Sequence, residues 1–203
     1  MNKIDDKEIR TALISRLTTY KNCTVSEEVT VPSGKARADV VAVNGHVVAY
    51  EIKSDFDSIK RLTTQIYEYD KNFEMNYIVV GQKFAESITK IVPEHWGVIV
   101  AEKTRVNTVR LAFLKKARLN PNLSFKDFLS WLPSEDVKKI ALMDDYLGNK
   151  LPKSKIRTLF KQDVIKRLEE TVPSLHKNEL KNRVRLLLKN KGKANKKPEI
   201  IGQ

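Results

Sequence analysis

Two apolar runs, Val40-Val41-Ala42-Val43 and Val47-Val48-Ala49-Tyr50, stand on either side of Asn44-Gly45. An Asn-Gly pair between strand-like segments is the strongest short hairpin signal. Side chains on a strand alternate between faces, and here both faces are apolar. Val41, Val43, Val47 and Ala49 occupy one, and Val40, Val48, Tyr50 and Ile52 the other. Strands apolar on both sides belong to a sheet covered by helices on both sides.

The surrounding pattern extends that constraint. Asp5 or Asp6 caps a first helix with Ile9, Leu13, Ile14 and Leu17 as its apolar stripe. Residues 25–31 alternate as a short strand, with Val25, Val29 and Val31 on one face and Glu28 on the other. After the hairpin, Ser54-Asp55-Phe56-Asp57 resembles a capping box, and the helix behind it runs to about Phe73 with Ile59, Leu62, Ile66 and Phe73 inward. Strands at 77–80 and 96–101, a helix at 85–91 and an edge strand at 109–114 follow. The order helix, three strands, helix, strand, helix, strand implies an α/β fold with a mixed sheet between helices.

Beyond Leu119 the character changes. Asn120-Pro121-Asn122 reads as a linker, followed only by helical patterns at 124–131, 134–147, 154–170 and 174–191, each opening at a serine. The expected organisation is a core over 1–117, a basic helical region over 118–190 and a disordered basic tail over 191–203.

A net charge of +13 over 203 residues, with pI ≈ 9.7, points to a polyanionic partner, and nucleic acid is the commonest one. The bland alternative is an effect on solubility alone. One cysteine, Cys23, excludes an internal disulfide and fits a reducing compartment. No apolar run approaches the roughly 18 residues that cross a bilayer, and the start Met1-Asn2-Lys3-Ile4-Asp5-Asp6 lacks a signal peptide's apolar stretch. A cytoplasmic location without membrane contact is expected.

One stretch carries a complete catalytic set: Asp39, then Glu51-Ile52-Lys53. Two carboxylates and an ammonium are the minimum for holding a divalent cation beside a phosphodiester and activating water. Oxygen ligands favour Mg²⁺ or Mn²⁺, and the scattered His46, His95 and His176 argue against zinc. A two-residue turn would put Asp39 and Glu51 on opposite faces, whereas a three-residue loop brings Asp39, Glu51 and Lys53 to one face. A shared metal site therefore predicts the longer loop or a bulge elsewhere in the hairpin. The Ile52 carbonyl is a further candidate ligand, and Glu28 a candidate to complete the shell or hold Lys53. Arg61, Gln65 and Tyr69, at i, i+4 and i+8, form one stripe on the next helix. The competing reading of each residue is an exposed salt bridge or a solvated helix face.

Asp39, Glu51-Ile52-Lys53 and Gln65-Ile66-Tyr67-Glu68-Tyr69 together resemble the signature of the PD-(D/E)xK nuclease superfamily, and the Gln-x-x-x-Tyr element is similar to its RecB-like branch. The run from Arg37 to Tyr69, with Tyr50-Glu51-Ile52-Lys53-Ser54-Asp55, Arg61-Leu62 and later Pro93-Glu94-His95-Trp96-Gly97-Val98, resembles a small family of bacterial and phage proteins within it. The resemblance covers about the first 115 residues. It implies a restriction-endonuclease-like αβββαβ core, Asp39 and Glu51 as metal ligands, Lys53 as catalytic lysine, and Gln65 and Tyr69 in support. Ala38 stands where the superfamily's namesake proline would be, a change of backbone shape with no loss of a reacting group.

The expected function is thus a Mg²⁺- or Mn²⁺-dependent deoxyribonuclease, with Arg37 and Arg61 as phosphate contacts. In the last helical segment Leu180, Val184, Leu187 and Leu188 form an apolar stripe beside Lys181, Arg185 and Lys189, a basic ridge able to track phosphates. The alternatives are a catalytically silent fold that binds nucleic acid or a host enzyme, and a subunit whose C-terminal helices dock onto a helicase or defence complex.

Overall fold

Asp5 starts the first helix, α1 (Asp6–Thr18), through a reciprocal cap. Its carboxylate accepts from the Glu8 N–H at 2.8 Å, while the Glu8 carboxylate accepts from the Asp5 N–H at 3.0 Å. Two of the four N–H groups left orphaned at a helix start are thereby satisfied. The computed structural model describes residues 3–194, with side chains through Lys191. It divides into two compact units, Met1–Leu123 and Ser124–Gln203.

The first unit continues as β1 (Thr24–Thr30), β2 (Arg37–Asn44), β3 (His46–Lys53), α2 (Leu62–Asn72), β4 (Met75–Val80), β5 (Gly97–Lys103) and β6 (Val109–Lys115). These form one six-stranded sheet in the order β1-β2-β3-β4-β5-β6. The β3–β4 and β4–β5 pairs are parallel, and the other three antiparallel. This is the mixed sheet implied by the element order.

The hairpin register decides the geometry of everything above it. Val40 pairs with Tyr50, Val43 with Val47 and Asn44 with His46, leaving Gly45 at the turn with φ +77°. The connection has the odd parity expected of a three-residue loop, and continuing its register sets Asp39 opposite Glu51. Val40, Ala42, Tyr50 and Ile52 pack under α1 against Ile9, Leu13 and Leu17. The opposite parity carries Asp39, Val41, Ala49 and Glu51, and Tyr69 of α2 reaches Glu51 there. Tyr69 stacks on the fully buried Trp96 with ring centroids 5.8 Å apart, so Trp96 is core.

Three local expectations change. Ser54 and Asp57 do bond, the Asp57 carboxylate accepting from the Ser54 N–H at 2.8 Å, but α2 begins only at Leu62. The 85–91 helix is replaced by two 3₁₀ turns, Gln82–Phe84 and Ile88–Lys90. There Asp55 accepts from the Lys83 N–H at 2.9 Å and the Ile4 N–H at 2.9 Å, tying the segment before α1 to the first 3₁₀ turn. Asn120 is pinned rather than free, its amide donating to the Asp70 and Phe73 carbonyls at 2.6 and 2.8 Å.

The second unit is helical: α3 (Phe125–Ser130), α4 (Ser134–Leu142), α5 (Asp145–Gly148), α6 (Lys153–Thr158), α7 (Lys161–Thr171) and α8 (Ser174–Ala194). Two expected helices are split. Asp144 turns its carboxylate onto the Leu147 N–H at 2.8 Å and so ends α4 while capping α5, the usual competition of a short acid with helix continuation. Leu159 and Phe160 adopt extended backbone between α6 and α7. Ser124 caps α3 as expected, accepting from the Asp127 N–H, whereas Pro133 and Pro152 take the cap position of α4 and α6. Residues 191–194 extend α8, and the rest of the expected tail lies outside the described residues. Among the described residues no helix is long and apolar enough to cross a membrane.

Candidate active site

Asp39 and Glu51 meet at the floor of a cleft of about 590 Å³ in the first unit. Its walls include Lys35 and Arg37 on the β1–β2 side, and Asp57, Arg61, Thr64 and Gln65 around the start of α2. Lys53 and Ile52 complete the floor.

The Glu51 side chain is only 1% exposed, and α2 and β3 supply its partners. Lys53 Nζ and Gln65 Nε2 donate to Oε1 at 2.6 and 2.5 Å, and Tyr69 donates its hydroxyl to Oε2 at 2.5 Å. A buried carboxylate without such donors would cost several kcal/mol, on the order of 3–5. Burial pushes the Tyr69 hydroxyl pKa far above the ordinary tyrosine value, and the neighbouring Glu51 charge adds to it, so Tyr69 is a fixed donor. Gln65 Oε1 is buried without a hydrogen-bond partner, an acceptor at the cleft wall.

Asp39 is held from two other directions. Its Oδ2 accepts from the Ile52 N–H at 2.7 Å, and its Oδ1 lies 3.3 Å from Arg10 Nη2. Burial, and then the charge of Glu51, raise its pKa to about 6 against these two donors. Two acids sharing a floor repel each other, which adds to the effect of burial on Asp39. The donor set is all oxygen and suits a hard ion. Among the described residues, no group of three or more His, Cys, Asp or Glu is arranged to hold a metal, so Asp39 and Glu51 stand as a pair.

Glu28 takes a different place from the one expected. It sits across from Asp39 in the β1–β2 register with φ +53°, and its carboxylate is engaged by Arg10 at 2.9 Å and Arg37 at 2.6 Å. It thus belongs to an arginine network that touches Asp39 through Arg10. Arg37 and Arg61 do line the cleft, as phosphate contacts require. Lys181, Arg185 and Lys189 lie on α8 of the second unit, where Leu180 and Val184 are fully buried and Arg185 contacts Asn182.

Arg10 is the residue that the sequence alone did not single out. Its guanidinium bonds Asp6 at 3.0 Å, the Asp39 carbonyl at 2.9 Å, Glu28 and the Asp39 carboxylate. Burial works against its charge, but the Asp6, Asp39 and Glu28 carboxylates outweigh that and set its pKa above the usual arginine value. The available signal was the Asp6/Arg10 spacing of four on the polar side of α1. Lys35 and Thr64 were also missed, because a turn and a helix start reveal their neighbours only after folding.

Comparison with known proteins places the chain in a family. The family model described as Bacteriophage P4 protein cII matches residues 1–200. "Protein cII" of Enterobacteria phage P4 is 30% identical over 181 residues, spanning 85% of this chain and 67% of that protein. No solved structure gives a significant match. The chain belongs to the phage P4 protein cII family.

Proposed function

We propose that this member of the phage P4 protein cII family is a metal-dependent nuclease of the PD-(D/E)xK type that hydrolyses phosphodiester bonds in DNA. The observation that carries this reading is the cross-strand pair Asp39 and Glu51 with Lys53 hydrogen-bonded to Glu51, all facing one cleft that also holds Lys35, Arg37 and Arg61. Each acid has a basic partner, Lys53 on Glu51 and Arg10 on Asp39, so pairing alone does not distinguish the site. Here two acids face each other, and the Asp39 carboxyl is held well above its ordinary pKa.

Asp39, Glu51 and the Ile52 carbonyl are the groups that would hold Mg²⁺ or Mn²⁺. When bound, such an ion supplies Lewis acidity toward the phosphate and lowers the pKa of water. The protein's own residues do the rest. Tyr69 and Gln65 fix the Glu51 carboxylate, Arg10 fixes Asp39, and Lys53 places an ammonium at the cleft floor where it can orient water or meet charge developing on the phosphate. Arg37, Arg61 and Lys35 place cations in the cleft walls, where flanking phosphates would meet them.

Plasmid and single-stranded DNA incubated with Mg²⁺ or Mn²⁺ should be cut by the wild-type protein. Lys53→Ala and Glu51→Ala should each lose at least about 100-fold in rate. Cleavage undiminished from the wild-type rate in both variants would remove the nuclease reading. Metal-independent, salt-sensitive DNA binding with no turnover would instead favour the non-cutting alternative.

A further inference from the structure

We propose that residues 150–157, together with Phe160, form a second nucleic-acid surface, one that holds a single strand by its phosphates and stacks one of its bases. The proposal deepens the nuclease reading by naming the form of the substrate, and rests on it only for the choice of DNA. The unit Ser124–Gln203 contains 19 basic and 10 acidic residues, so it carries +9 of the chain's +13. Its charge is not spread evenly. Between Asp145 and Asp163 there is no acid, while Lys150, Lys153, Lys155, Arg157 and Lys161 all fall there.

Lys161 is committed to the fold, donating to the Ser130 carbonyl at 2.7 Å. The other four are exposed, and among the described residues none makes an ion pair. Elsewhere in the unit some cations find acids: Lys139 and Lys191 with Asp136, Lys166 with Glu170, Arg183 with Glu179. What sets α6 apart is that Lys153, Lys155 and Arg157 are clustered within a stretch free of acids. Ile156, fully buried, anchors that helix, and Lys138 Nζ donates to the Arg157 carbonyl at 2.8 Å, which brings a further ammonium to its C-terminal end. Lys153 and Arg157, four apart, share one face although their charges repel.

Three residues beyond Arg157, Phe160 is 83% exposed, on extended backbone at the start of α7. An exposed phenyl ring beside uncompensated cations matches a ligand that offers both a flat π face and a dense row of anions. A single-stranded nucleic acid offers both, because its bases are free to stack on an aromatic ring while its phosphates meet lysine and arginine. A duplex presents the phosphates but keeps its base faces stacked inside.

The test is fluorescence anisotropy with the full chain in EDTA, where nothing is cut, on a short oligonucleotide as single strand and as duplex across a KCl series. The triple variant Lys153→Gln, Lys155→Gln, Arg157→Gln should lower the slope of log affinity against log salt by about 2 on the single strand. Phe160→Ala should weaken single-strand binding about tenfold and duplex binding less than twofold. An unchanged slope in the triple variant would overturn the surface. Equal loss on both DNA forms with Phe160→Ala would overturn the stacking role, and tighter binding to phosphatidylserine vesicles than to DNA would overturn the ligand class. Cleavage by these variants at saturating DNA in Mn²⁺ reads the nuclease site separately, since all the substituted residues are surface groups outside the cleft.

Discussion

Glu51 shows how the candidate site is built at the scale of single residues. Three donors converge on one buried carboxylate, and each costs something when removed. Tyr69→Phe deletes the donor to Glu51 Oε2 and to the Arg37 carbonyl while keeping the ring stacked on Trp96. Loss of a hydrogen bond to a charged group predicts a stability decrease of about 1.5–3 kcal/mol in urea unfolding. Cleavage should fall about tenfold or more, because the ligand it orients is loosened. Asp39 leads to a pH prediction. Its pKa is raised to about 6 in the folded chain, so ionising it opposes folding, and its contribution to stability declines as pH rises from about 4 to 6 in the absence of metal. A bound dication needs the ionised form, so Mn²⁺ affinity by calorimetry should fall about tenfold per unit below pH 6 and level off above it. An affinity flat from pH 5 to 7.5 would contradict the assignment of Asp39. Sequence spacing reveals Asp39, Glu51, Lys53, Gln65 and Tyr69, because each lies on an element whose period can be counted. Arg10 is not legible that way, since its meeting with Asp39 joins α1 to a strand 29 residues away.

At the scale of elements, the sheet depends on close approaches that only small residues permit. A Cβ on Gly97 would lie 2.1 Å from the Tyr77 ring and 2.7 Å from the Ala117 nitrogen. Tyr77 is itself stacked on Tyr50, with centroids 5.2 Å apart, so it has no free direction in which to move. Gly97→Ala should therefore lower stability by about 1–3 kcal/mol through overpacking, measured as a fall in Tm with unchanged metal affinity in the protein that remains folded. The hairpin illustrates what sequence can and cannot settle. Its existence follows from Asn44-Gly45, but its parity is decided by one residue of loop length, and only the requirement for a common metal site selects the longer connection. The split helices of the second unit were illegible for a related reason. Periodicity continues through Asp144 and Thr158, while capping by Asp144 and extended backbone at Leu159 and Phe160 interrupt the hydrogen bonding.

For the whole molecule, sequence charge raises the expectation of a polyanion partner without locating its surface. The first unit holds the cleft with two facing acids, and the second holds most of the excess positive charge. Such a division suits an enzyme that grips its substrate broadly and reacts at one point, since the phosphate grip supplies affinity without demanding geometry. The α/β core was readable from apolar patterning because buried strands tolerate few alternatives, whereas surface clusters such as α6 become visible only when ion pairs can be counted in three dimensions. The most direct test of the central claim is the anomalous difference map of crystals soaked in Mn²⁺. A peak bridging the Asp39 and Glu51 carboxylates, abolished in Asp39→Asn, is the predicted result. A map with no peak at that floor, under conditions where the same protein cuts DNA, would place the chemistry elsewhere and contradict the account.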